Sequence, residues 1–239
     1  NTEIGVSQQV VDRLNQRPMA RLRRRSAIRI YNALNLERFE NLAVDRRMKR
    51  RSLGIEESAL VVGSVGRLTL QKGYTVLLDA AQRVLTAKSN VKFLIIGTGE
   101  LENQLKLYAR QLGIEKQIVF TGARNDVEEL LPVMDLFVNS SLWEGLPTVI
   151  LESMAARIPV VATRVSGNTE LIDHELTGLL VPPDDPTALA GAINRLLEDR
   201  ALALSCAEKA HSHMEMTFSI KQVAQYYEDL YVRYGSLAG

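Results

Sequence analysis

Six short runs rich in Val, Ile, Leu and Phe punctuate the chain: ALVVGSVG at 59–66, VKFLIIG at 91–97, QIVFTG at 117–122, DLFVNSS at 135–141, IPVVAT at 158–163 and TGLLVP at 177–182. Between them lie GYTVLLDAAQRVLTAK, LENQLKLYARQLG, DVEELLPVM and PTVILESMAAR, whose apolar positions recur at helical spacing. Unbroken apolar runs are the pattern of strands covered on both faces, and strand–helix–strand alternation implies right-handed crossovers onto a parallel sheet. The pattern predicts a doubly wound α/β domain with its core over about residues 53–219. No internal repeat and no low-complexity tract interrupts it.

Composition agrees with such a core: of 239 residues, 46% are hydrophobic and only 5% aromatic. A single cysteine, Cys206, excludes an intrachain disulfide framework and suits a reducing compartment, so a cytoplasmic location is expected. No apolar run approaches the roughly 18 residues of a membrane span, and the start has no signal-peptide pattern. The sequence does not begin with Met, and a piece of a longer protein is expected.

Charge is distributed unevenly. The net charge is +1, yet residues 1–51 hold 13 Lys and Arg against 5 Asp and Glu, and the remainder 16 against 23. The basic clusters RPMARLRRR (17–25) and DRRMKRR (45–51) suit peripheral contact with anionic lipid or a polyanion; solvated helix faces are the simpler account. Nucleic acid is a poor partner, because no aromatics interleave with the arginines.

Ligands of doubly wound sheets sit outside the carboxyl ends of the strands, so the loops there carry the chemistry. After the first run comes GRLTLQKG, with Arg67 and Lys72 before a helix; two cations beside free helix amides make an anion site suited to phosphate. After DLFVNSS comes LWEGLPTVILE, with Glu144 before a Gly145-Leu146-Pro147 turn and Glu152 inside the following helix. Pro147 suits the first helical position, Gly145 admits close approach to the backbone, and the amides of Thr148 and Val149 are left for a ligand. Glu152 is then placed to accept hydrogen bonds from ribose hydroxyls. Gly167 opens a third such loop. The Gly97-Thr98-Gly99 turn is too short a glycine pattern for a dinucleotide site, since Glu102 stands at the third glycine position.

Together GRLTLQKG (66–73), IIGTGE (95–100), FTG (120–122), EGLPTVILE (144–152), SGNTE (166–170) and TGLLVPPDD (177–185) resemble the C-terminal, donor-binding half of a GT-B retaining glycosyltransferase of family 4, group 1. The resemblance covers about residues 30–234 and implies a Rossmann-like sheet over 35–219. It further implies a remnant of the N-terminal acceptor domain and linker at 1–34, and a terminal helix at 220–239 that packs back on that domain. It implies that Arg67, Lys72 and Glu144 are the catalytic set, the cations on the diphosphate and Glu144 on donor-sugar hydroxyls. Gly66, Gly145, Leu146, Pro147, Thr148, Glu152 and Gly167 would hold the donor, and Gly97, Gly99, Gly122 and Arg124 would border its base. The donor would be a UDP-, GDP- or ADP-linked sugar, with no cofactor and no metal. The acceptor would be a glycan, lipid or small molecule bound through the N-terminal domain, so this chain alone is expected to bind donor and transfer little sugar. A nucleotide-sugar 2-epimerase and a non-catalytic nucleotide-sugar-binding module are the alternatives.

The chain departs from the family in IRIYNALNLERF (28–39), where Ala33 replaces a glycine and Asn35 an acidic residue. Elsewhere, Asp184 or Asp185 is expected to cap a helix, Pro132 to end or kink one, His211 and His213 to lie on the surface, and Met214 and Met216 to pack. Glu170 fits a donor contact or a structural role. Trp143 fits stacking on a ligand or covering the core.

Overall fold

In the computed structural model, which describes residues 3–17, 27–40 and 42–235, the chain opens with a small parallel pair. Strand β1 (Ile4–Gly5) pairs with β2 (Ile28–Arg29), and helix α1 (Gln8–Gln16) starts between them, capped by the Ser7 hydroxyl on Val10 N–H at 3.3 Å. All of the 17–25 basic cluster except Arg17 lies outside the described residues. Helix α2 (Glu37–Glu40) follows, and here the substituted Asn35 performs the turn: its side-chain oxygen accepts from Glu37 N–H at 3.1 Å. A neutral amide oxygen therefore fills the place of the expected carboxylate.

The basic cluster at 45–51 becomes helix α3 (Arg46–Ser52), and its charges are used internally. Arg46 pairs with Asp135, Arg47 with Glu57, Lys49 with Asp126 and Glu129, and Arg50 with Asp135. Four of its five cations are thus paired within the chain, while Arg46, Arg47 and Arg51 remain exposed. Arg50 is only 5% exposed. Its guanidinium donates to the carbonyls of Glu57, Ala59 and Val133 and to Asp135, whose carboxylate also accepts from Val61 N–H at 2.7 Å.

The six apolar runs form β3 (Leu60–Val65), β4 (Val91–Ile96), β5 (Ile118–Phe120), β6 (Leu136–Asn139), β7 (Val160–Thr163) and β8 (Leu179–Val181). They pair in parallel in the order β5-β4-β3-β6-β7-β8, with Leu60 opposite Val91 and Val65 opposite Ile96 along the central pair. Alternation divides each strand between two cores: Val62, Phe93, Ile95, Leu136 and Val138 face one, and Val61, Leu94, Ile96 and Phe137 the other. Helices α4 (Tyr74–Ala87), α5 (Glu102–Gln111) and α9 (Pro186–Glu198) cover the first face. The short α6 (Val127–Leu130), α7 (Thr148–Ala155) and α10 (Arg200–Phe218) contribute to the second. Pro132 ends α6 as expected, and Asp185 caps α9 by accepting from Ala188 N–H at 2.8 Å ahead of Pro186.

One expectation of exposure and one of packing fail. His211 is buried, because its Nδ1 lies 3.1 Å from the carbonyl of Ala155, one of the orphan acceptors at the end of α7. Met214 packs, whereas Met216 is exposed on the other side of α10. The linker runs beside the junction of α10 and α11 (Ile220–Gly235): Leu34 N–H donates to Phe218 O, Ile220 N–H donates to Leu34 O, and Tyr31 lies 4.6 Å from Phe218 between ring centroids.

When Arg50 is removed, Asp135 keeps Arg46 and the Val61 amide, but the carbonyls of Glu57, Ala59 and Val133 lose their donor, and a buried acceptor left unsatisfied costs about 1–3 kcal/mol. Arg50→Ala is expected to lose stability on that scale, seen as a lower urea midpoint with an unchanged m-value.

Candidate functional site

The sheet winds outward from β3 through β4 to β5, then restarts on the opposite side with β6, β7 and β8. The loops leaving β3 and β6 therefore diverge, opening a crevice at the switch point. These are the loops that carry Arg67, Lys72 and Glu144. They are stitched together by Leu142 N–H on Gln71 O at 2.8 Å, Gln71 Nε2 on Trp143 O at 3.0 Å and the Ser140 hydroxyl on Lys72 O at 2.8 Å.

At their meeting point Lys72 Nζ lies 2.5 Å from Glu144 Oε1. The same oxygen accepts from the Ser141 hydroxyl at 2.7 Å and more weakly from Asn139 Nδ2 at 3.4 Å. Glu144 is 7% exposed, so its charge is compensated where solvent hardly reaches. Behind it, Asn168 Nδ2 donates to Thr163 O at 2.8 Å and to Asn139 Oδ1 at 3.2 Å, joining the ends of β6 and β7. Arg67 is exposed on the same loop as Lys72, without an ion-pair partner among the described residues. Tyr74 lies beneath the loop with its hydroxyl toward Gly66 O at 3.4 Å. Burial holds its phenol well above the ordinary range, the Glu144 charge adds to this, and a Ser64 hydrogen bond opposes it.

The glycine loops form a second wall. Gly97 N–H donates to Gly122 O at 2.9 Å, joining the loops after β4 and β5. Gly97 has φ 134°, and a Cβ there would stand 2.0 Å from Gly66 O. Any side chain at 97 would push the loop after β3 aside. A Cβ on Gly99 would stand 2.4 Å from Leu68 O. Arg124, expected to border a base, is ion-paired with Asp126 at 2.8 and 2.7 Å. That contact and Lys49 hold the Asp126 carboxyl well below its usual range.

The turn after Glu144 differs by one residue from expectation. Pro147 occupies the position before α7, with φ −75° and ψ 109°, because its carbonyl already closes the first turn on Ile150 N–H at 3.2 Å. Leu146 packs against the core, Thr148 is exposed, and the amides of Gly145, Leu146, Thr148 and Val149 have no acceptor among the described residues. A Cβ on Gly145 would meet open space. Gly167, by contrast, is buried against the Glu144–Gly145 backbone, where a Cβ would stand 2.5 Å from Gly145 O. It shapes the turn from behind rather than lining it. Its helix, α8 (Ser166–Thr169), also carries Ser166 onto Gln9, and beyond it Glu170 accepts from Gln8 N–H at 3.0 and 2.8 Å. Glu170 is thus tied to the start of α1. Trp143 is 53% exposed and does not cover the core.

Glu152 lies about 6 Å along α7 from Thr148. Burial raises its carboxyl pKa, the Arg38 charge lowers it, and Glu128 raises it again. Arg38 is itself bound to Glu128 at 2.5 Å. The candidates Gly66, Lys72, Glu144, Gly145 and Gly167 are therefore brought together, Gly97, Gly99 and Gly122 border them, and Arg124 is paired with Asp126. Sequence reading missed Asn139, Ser140, Ser141, Thr163, Asn168 and Arg38. The first three were signalled only by the polar Asn-Ser-Ser ending of an otherwise apolar strand.

Comparison with known proteins agrees with this geometry. The profile of the family described as "Glycosyl transferases group 1" matches residues 45–213. An Escherichia coli UDP-Gal:α-D-GlcNAc-diphosphoundecaprenol α-1,3-galactosyltransferase is 30% identical over 209 residues, which is 85% of this chain and 54% of that protein. A Rhizobium meliloti lipopolysaccharide core mannosyltransferase, LpsB, is 29% identical over 212 residues, 84% of this chain and 60% of that one. The chain thus spans about half the length of the curated relatives it matches. The crystal structure of Anabaena HepE with UDP-glucose superposes with a TM-score of 0.86 at 27% identity, covering 96% of this chain and 63% of that one. The six-stranded parallel sheet is that of the donor-binding half of GT-B proteins, and the chain belongs to the group 1 glycosyltransferase family.

Proposed function

We propose that the crevice between the β3 and β6 loops binds a UDP-sugar. In the whole protein, the sugar then passes to an acceptor with retention of anomeric configuration. The observation that carries this reading is the convergence of Lys72, Glu144, an open Gly145 and free amides before α7, with Glu152 one turn inside the helix. Diphosphate fits Arg67, Lys72 and the amides; ribose hydroxyls fit Glu152; sugar hydroxyls fit Glu144. The complexes of the Anabaena protein with UDP and with UDP-glucose support uridine as the base.

As the glycosidic bond breaks, positive charge develops at the anomeric carbon and negative charge on the departing diphosphate. Donors already in place stabilise the latter without reorganising, each contributing about 100- to 1,000-fold in rate. The chain supplies that charge itself through Arg67 and Lys72, which supports a metal-free reaction. Relatives named as galactosyl- and mannosyltransferases favour transfer over epimerisation. We assign the acceptor, a glycan or lipid, to an N-terminal domain that the unit at 1–34 joins and that α11 packs against, and the setting to the cytoplasm. No helix among the described residues is long and apolar enough to cross a membrane.

Calorimetric titration with UDP, GDP, ADP and their sugar conjugates tests the assignment. UDP binding is expected, weakened about 10- to 100-fold by Arg67→Ala, since a charge-assisted phosphate contact contributes about 1.5–3 kcal/mol. Equal binding by Arg67→Ala would refute the diphosphate placement. For Glu152, stability and binding should move in opposite directions. Its folded pKa is raised above 4.5, so the folded chain binds more protons than the unfolded one, and ionisation costs stability as pH rises from that value. Glu152→Gln should remove this decline and raise the melting temperature at pH 7, yet weaken UDP.

A further inference from the structure

We propose that Ser140 and Ser141 are a pair of positioning residues that set the site's cation and anion against each other: Ser140 holds Lys72, and Ser141 holds Glu144. The proposal rests on reading this crevice as the donor site. Ser140 reaches Lys72 through the main chain, its hydroxyl donating to Lys72 O at 2.8 Å, and so fixes where the lysine side chain begins. Ser141 acts on the carboxylate itself, donating to Glu144 Oε1 at 2.7 Å.

Ser141 has no freedom to turn away. Its N–H donates to Asn139 Oδ1 at 3.2 Å, its carbonyl accepts from the Thr163 hydroxyl at 2.5 Å, and its side chain is buried. Every polar group of this residue is therefore engaged, and its hydroxyl direction is set by the ends of two strands. Glu144 Oε1 is saturated by the Lys72 ammonium, the Ser141 hydroxyl and the Asn139 amide. The orientation of the carboxylate plane follows, leaving Oε2 to accept from a hydroxyl of the bound sugar. The network also leaves Asn168 Oδ1 buried with no hydrogen-bond partner. That is a cost which a network serving stability alone would shed.

The two serines predict different losses. Without the Ser140 hydroxyl the lysine is released, and every ligand bearing the diphosphate suffers alike. Without the Ser141 hydroxyl the glutamate is released, and only a ligand bearing the sugar suffers. The test is calorimetric titration of UDP and UDP-glucose into the wild-type chain, Ser140→Ala, Ser141→Ala, Glu144→Gln and the Ser141→Ala/Glu144→Gln double variant, each checked by thermal melting. Ser141→Ala is expected to worsen the affinity ratio of UDP-glucose to UDP by about 10-fold, the scale of one charge-assisted hydrogen bond, with UDP itself unchanged. Ser140→Ala is expected to weaken both ligands equally. The double variant should match Glu144→Gln alone, because Ser141 acts only through that carboxylate.

A merely structural role would lower both ligands together in Ser141→Ala and add to Glu144→Gln, and either result overturns the proposal. If the alanine chain does not fold, Ser141→Thr keeps the hydroxyl and is expected to keep the wild-type ratio; a ratio as poor as that of Glu144→Gln overturns the proposal too. Should the wild-type chain bind neither ligand, the donor-site reading fails and the positioning role with it. If it binds both while Ser141→Ala keeps the wild-type ratio, the positioning role fails alone.

Discussion

A parallel sheet that grows outward in two directions from its middle must leave a gap where the directions part. That constraint governs this molecule. The chain leaves β3 toward β4 on one side and, after β6, continues toward β7 on the other, so two adjacent strands send their loops apart. Every group assigned a direct role in donor binding lies on those loops or on the helices that receive them. The hydrogen bonds from Leu142 to Gln71 and from Ser140 to Lys72 then draw the parted loops back together at one point. The crevice is consequently open along its length and closed at its base.

Closing that base requires polar groups deep in the protein. Lys72 and Glu144 approach each other where water is scarce, and a bare pair there would recover little of its desolvation cost. The structure surrounds it instead with Ser141, Asn139, Thr163 and Asn168, each directed by a backbone group at the end of β6 or β7. A similar solution appears at the opposite, N-terminal end of the central strands β3 and β6, where Arg50 and Asp135 are wrapped by main-chain carbonyls and the Val61 amide. One cluster orients ligand-facing groups; the other fastens α3 to the sheet.

The fold was legible because parallel strands buried on both faces leave uninterrupted apolar runs, and all six appeared as strands. The site was legible where residue types have few other uses: a glycine that must not carry a Cβ at 97, a Gly-Leu-Pro turn, cations before a helix. What escaped was pairing. Nothing local in RRMKRRS says that its cations find Asp126, Glu129 and Asp135, which arrive some 80 residues later and only through the folding of the sheet. His211 was misjudged for the same reason, its partner being set by three-dimensional proximity. The serines after β6 were visible as polar letters, but their targets belong to another loop.

The mutual neutralisation of Lys72 and Glu144 also shapes how a ligand finds the site. In the unliganded crevice the two charges nearly cancel at distance, and the field reaching out from the loop after β3 is largely that of the exposed Arg67. Beyond about 10 Å, ordinary salt screens even that charge. Encounter with a polyanionic ligand therefore owes little to long-range attraction. Lysine, held in reserve against its glutamate, exerts its pull only at contact, so selectivity is exercised at capture rather than on approach.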